Sequence, residues 1–154
     1  MQKQNIHVVF GGRTYAGFNF ESLPLAAALL VAAQQVDQAA DQARSAVLGD
    51  PLRAVEYRIT AEEAESFAAG EYAGPVPPSV QAWMDAAGLE ARVATNEILT
   101  EAHAWKAAVH TIRAERLKGK QGVLKAASHE QAEVLADAAI AAIKASVQGV
   151  GNAA

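Results

Sequence analysis

The chain has 154 residues, a formal net charge of −4 and no cysteine. That length suffices for one ordinary domain, or for a small domain plus an extended element, and the missing thiols exclude a disulfide framework and thiolate metal sites. Charges of both signs are interspersed on an acidic background, with a pI near 5.5, which argues against general nucleic-acid binding.

The hydrophobic fraction of 51% overstates the core, because about a quarter of the chain is alanine and aromatics make up only 6%. Alanine has the highest helix propensity and buries little area per residue. Long helices with close backbone approach are expected, with part of the stability supplied by partner chains. The longest apolar run, residues 23–33, is too short to span a bilayer. It follows a polar, strand-like segment and so does not read as a signal peptide. The chain is expected to be soluble, without membrane insertion.

Residues 5–20 carry the β signal. Ile6-His7-Val8-Val9-Phe10 and Arg13-Thr14-Tyr15-Ala16-Gly17-Phe18 flank Gly11-Gly12, a pattern that predicts a hairpin with a two-residue turn. In that register Val8 faces Tyr15 and Ile6 faces Gly17. A phosphate-loop reading of the glycines fails, because Phe18 stands where the lysine is needed.

The first long helix is expected to start near Ser22, as N-cap, with Pro24 in its first turn. Leu25, Leu29, Ala32, Val36, Ala39, Ala43 and Val47 recur in steps of four and three. The seam fits one side of an intramolecular helical hairpin, the preferred reading, or a parallel oligomeric coiled coil. Gly49 then serves as a helix stop, and Asp50-Pro51 as N-cap and N1 of a second helix antiparallel to the first. Leu52, Val55, Ile59 and Phe67 are expected on one side of it. Thr60-Ala61-Glu62-Glu63 reads as an internal capping box or as an exposed stretch.

Pro75, Pro77 and Pro78 stiffen a connector at 73–78, with Tyr72 placed to tuck beneath it. A short helix follows over 79–87, ended by Gly88. A long one spans about 90–117, with Ile98, Ala102, Trp105, Val109 and Ile112 as its seam and Gly119 and Gly122 breaking the pattern. Arg113, Arg116 and Lys118 suit the negative end of that helix. The last helix starts at Ser128 with the capping box Ser128-His129-Glu130-Gln131, and shows Leu135, Ala139, Ile143 and Val147 on its apolar face. The boundaries expected are a hairpin at 1–21, a helical domain at 22–120, and an alanine-rich helix and tail at 121–154.

No catalytic, metal-binding or cofactor-binding residue is assigned. His103 and His110 lie seven apart with Glu101 nearby, whereas helical zinc sites pair ligands three or four apart. His7 and His129 have no obvious partner. The carboxylates Glu62, Glu63 and Glu65 are expected to face solvent. Trp83 and Trp105 read as core or interface anchors. A small metal-dependent enzyme or regulator using His103, His110 and Glu101 stays as a third alternative.

The middle block combines Asp50-Pro51-Leu52-Arg53-Ala54-Val55-Glu56-Tyr57, Glu71-Tyr72-Ala73-Gly74-Pro75-Val76-Pro77-Pro78-Ser79-Val80 before Trp83, Ile98-Leu99 with Glu101-Ala102 before Trp105, and Ile112-Arg113 before Arg116-Leu117 and Gly119-Lys120. Over about residues 1–120 this pattern resembles small proteins of bacteriophage and prophage tail modules encoded near the tail-fibre genes. It is more loosely similar to tail-fibre assembly chaperones. The resemblance implies a non-enzymatic baseplate or tail-fibre component acting in virion assembly or host attachment, with a transient assembly chaperone as the alternative. It implies other tail, baseplate or fibre proteins as partners, a homo-oligomer of three or more copies, and a place in the virion tail after assembly in the host cytoplasm.

The fold expected is mainly α, an N-terminal β-hairpin followed by four or five helices. The expected protein interface is Val8, Phe10, Tyr15, Phe18 and Phe20 of the hairpin region, with Leu25, Leu29 and Val36 of the first helix.

Overall fold

The computed structural model describes residues 1–48 and 51–150. The chain is mainly helical behind an N-terminal hairpin. Strands β1 (Ile6–Phe10) and β2 (Arg13–Phe18) are followed by a 3₁₀ turn at Phe20–Ser22 and helices α1 (Leu25–Leu48), α2 (Pro51–Ala69), α3 (Pro78–Ala87), α4 (Ala91–Leu124) and α5 (His129–Ala145). The helical stop at Gly49 and the cap at Asp50 lie outside the described residues.

Two compact units divide the chain. The first comprises Met1–Arg44 and Val109–Gln148, and the second chiefly Ser45–Ala108. Helix α4 gives its residues up to Ala108 to the second unit and the rest to the first. The boundary expected at 120/121 falls inside α4.

In the first unit, the hairpin turns where positive φ was required, at +57° for Gly11 and +75° for Gly12. Val8 pairs with Tyr15 as expected, but Ile6 pairs with Phe18 and not with Gly17. Gly17, at φ +75°, is the extra residue of a bulge between the Ile6 and His7 pairs. A left-handed glycine absorbs this kink without a Cβ clash. The bulge returns Phe18 to the register opposite Ile6.

Helix α1 starts two residues later than Ser22 would set it. Ser22 closes the 3₁₀ turn, and the Pro24 carbonyl accepts the first helical bond from Ala28 N at 3.0 Å. Proline without an N–H loses nothing at such an end. The expected seam is buried from Ala32 through Ala43, but Ala27, Ala28, Val31, Ala33 and Ala40 are buried with it. This is a broad apolar face suited to intramolecular packing, wider than a two-position coiled-coil seam.

That face meets Ile112 and Val123 of α4 and Ala132, Ala136, Ala139 and Ile143 of α5, closed above by Ile6, Phe20 and Leu23. Glycines 119 and 122 do not end α4. A methyl group on Gly119 would fall 2.3 Å from the Ala139 Cβ. The glycine therefore lets two helix backbones approach, and its propensity cost of about 1 kcal/mol is offset by packing.

The second unit holds a thinner core. Ala64, Val80 and Ala94 are buried, with Val76, Trp83, Met84, Leu89, Ile98 and Leu99 half-buried around them. The buried side of α2 is Ala61, Ala64 and Phe67. Leu52, Val55 and Ile59, expected beside Phe67, lie on an exposed stripe, Leu52 at 75%. At 100° per residue the two sets diverge around the helix.

Helix α2 ends with Glu71 and Tyr72 both left-handed, at φ +58° and +61°. The Tyr72 N–H reaches back to the Phe67 carbonyl at 2.9 Å, a helix-terminating bond. Tyr72 does tuck in. Its ring meets Phe67 edge to face at 5.9 Å, Arg92 lies 4.4 Å over it, and its hydroxyl donates to Asn96 at 2.8 Å. Helix α3 ends at Gly88 as expected, left-handed at φ +68°.

Candidate functional site

The hairpin carries most of the expected interface. Alternation turns Ile6, Val8 and Phe10 of β1 toward the core, where Ile6 is buried and Val8, Phe10 and Tyr15 are half-buried against it. Val9, on the opposite face, is 69% exposed. Phe18 is 39% exposed, with its ring edge to face on Tyr15 at 5.4 Å. Leu25 and Leu29 are half-buried. Phe20 and Val36 are fully buried in the core of the first unit. Residue type and heptad position do not distinguish a face turned to a neighbour in the same chain from one turned to another chain.

A lone hairpin, as residues 5–20 predict, leaves a sheet edge that a partner strand can extend. The sheet has two strands only, so among the described residues β2 pairs with β1 alone. All of β2 is exposed except the half-buried Tyr15. In a two-residue hairpin the pair flanking the turn, Phe10 and Arg13, exchanges hydrogen bonds, and the next pair, Val9 and Thr14, does not. The Thr14 N–H therefore points outward, along an open edge.

Polar contacts lock the hairpin's surroundings. His129, without an expected partner, has Nε2 2.9 Å from the Leu23 carbonyl, so Nε2 carries the proton and donates. Its ring stands edge to face with Phe20 at 5.7 Å. Ser128 accepts from Gln131 N at 3.1 Å, as the capping box requires. The Gln131 side chain reaches back one residue further than expected, to Ala127 N at 2.8 Å. The terminal amine pairs with Asp137 and Lys3 with Glu133. Between α1 and α4, Asp37 accepts from Arg116 at 3.0 Å and Lys120 at 2.5 Å. Burial pushes this carboxyl up, but the hydrogen bonds from Lys120 and Arg116 outweigh it and hold the group below the ordinary carboxylate range. Arg116, one of the expected basic end of α4, thus serves an intramolecular ion pair, joined by Lys120.

In the second unit the acidic run of α2 does more than face solvent. Glu63 accepts from Ser79 N at 2.8 Å and caps α3, whose own N-cap, Pro77, has no side-chain acceptor. Glu65 pairs with Lys106 at 2.9 Å, and Glu62 lies 3.4 Å from Arg58. Trp83 donates its indole N–H to Glu97 at 2.9 Å, while the indole N–H of Trp105 is buried without an acceptor. His103 and His110 are both exposed. Among the described residues no group of three or more His, Asp or Glu is placed to hold a metal, and no helix is long and apolar enough to cross a membrane.

No protein-family model matches the chain, and no curated protein or solved structure matches it either.

Proposed function

We propose that this protein is a non-enzymatic component of a phage tail, working at the baseplate or tail fibre by binding neighbouring chains. The single structural observation that supports a binding role is the open outer edge of β2, held on the helices of the first unit. An unpaired edge with outward N–H and C=O groups is a template for strand addition, in which main-chain hydrogen bonds supply affinity. The bulge at Gly17 twists the end of the edge and confines pairing to residues 13–16. The tail assignment itself rests on the motif resemblance over residues 1–120. Three or more copies would present this edge repeatedly around a ring.

Mass spectrometry of purified tail particles tests the reading. Stoichiometric presence is expected. Absence from particles, with co-purification of the fibre protein during assembly, would replace it by the chaperone reading. Association with neither would overturn both. A Thr14→Pro variant sharpens the role of the edge: it removes the outward N–H and spares the β1–β2 bonds. Partner binding should be lost while the helical circular-dichroism signal stays.

A further inference from the structure

The first unit contains a second surface with recognisable chemistry. Gln35, Gln38 and Gln42 lie on one stripe of α1, at steps of three and four. They line a groove of about 310 Å³ together with Met1, Gln2, Ala39, and Ile140 and Lys144 of α5. That volume is at the low end for a ligand site.

Gln35 demonstrates what such a side chain does here. Its Oε1 accepts from the Gln2 backbone N–H at 2.6 Å, and its Nε2 donates to the Gln2 carbonyl at 3.0 Å. One side-chain amide thus satisfies both main-chain groups of one residue. The match is chemical, since a carboxamide carries the same donor and acceptor as a peptide unit. Gln38 and Gln42 repeat the group one and two turns along. Among the described residues neither uses its side-chain amide in a hydrogen bond, and Lys144 makes no ion pair.

We infer that the Gln38–Gln42 groove binds a short extended peptide segment bearing a carboxylate, gripping its backbone as Gln35 grips Gln2. From Gln38 to Gln42 the helix advances about 6 Å, and two residues of extended chain cover about the same length. Lys144 supplies the charge for a terminal or side-chain carboxylate. The inference rests on this groove alone and stands independently of the tail reading.

The test is a nuclear magnetic resonance titration of the full ¹⁵N-labelled chain. The probes are acetyl-Thr-Val-Thr-Asp with a free carboxyl terminus and acetyl-Thr-Val-Thr-Lys-amide. The side-chain NH₂ signals of Gln38 and Gln42 should shift saturably with the acidic peptide, with Kd on the order of 1 mM for so small a ligand. The basic peptide should bind at least about threefold more weakly, as expected for an exposed charge pair, and Lys144→Glu should reverse that order. The double substitution Gln38→Ala with Gln42→Ala, at exposed positions, should weaken binding about fivefold or more, with core signals unmoved. No saturable shift of these NH₂ groups at about ten times the expected Kd, or an unchanged peptide preference in Lys144→Glu, would overturn the inference.

Discussion

The two units are built from the same alanine-rich helices and differ in what fills the space between them. In the first, Phe20, Val36, Ile112, Val123 and Ile143 are fully buried among small residues, and the hairpin closes one end. In the second, Ala64, Val80 and Ala94 form the buried cluster, while α2 presents Leu52, Val55 and Ile59 outward. Alanine brings helices close but contributes little area, so stability follows the few large side chains that the close approach encloses. The hairpin sits on the unit that has them.

The sharpest way to break this contrast is at Phe20. Phe20→Ala removes the largest fully buried side chain and should cost about 3–5 kcal/mol. A urea titration should show the loss, together with loss of protection in the hairpin amides. Next is the close approach of α4 and α5. Gly119→Ala would force a methyl group into Ala139 and should destabilise by about 1–3 kcal/mol. Gly122→Ala meets only Leu135, at 3.7 Å, and should stabilise by up to about 1 kcal/mol through helix propensity. Thermal melts of both variants would read opposite signs from neighbouring glycines.

The same two glycines show where the sequence was legible. Helix periodicity located every helix, and Gly11-Gly12 specified its turn, because these signals are local. Whether a glycine stops a helix or admits a neighbour depends on a residue twenty positions away, Ala139 for Gly119, and no local pattern carries that. The bulge at Gly17 is similar, since its residue type permits a left-handed backbone without demanding one. The interface candidates divided for the same reason. Apolar character marks Phe20 and Val36 as residues to be covered, without saying by which chain. The open edge of β2 was legible too, because a single hairpin signal at residues 5–20 implies a two-stranded sheet.

A smaller effect separates the units by their caps. Glu63→Ala removes the acceptor at the start of α3 and should cost about 1 kcal/mol. Hydrogen exchange should place that loss in α3 and leave the first unit unaffected. The smallest effect is electrostatic. Asp37 has a folded pKa below its unfolded value, which is near ~3.9. Its contribution is therefore present above that value and lost as pH falls through the lower folded value. Wild type should exceed Asp37→Asn in stability by on the order of 1 kcal/mol or less near neutrality. The gap should close in acid, as urea midpoints measured across that range would show.

Native-state hydrogen exchange tests the contrast between the units most directly. Amides at 31–40 of α1 and 136–143 of α5 should exchange only through openings that approach global unfolding. Amides at 52–60 of α2, where no described side chain is fully buried, should exchange through openings of much lower free energy. Equal protection of α2 and α5 would contradict the account, because the second unit would then draw stability from something other than its buried side chains.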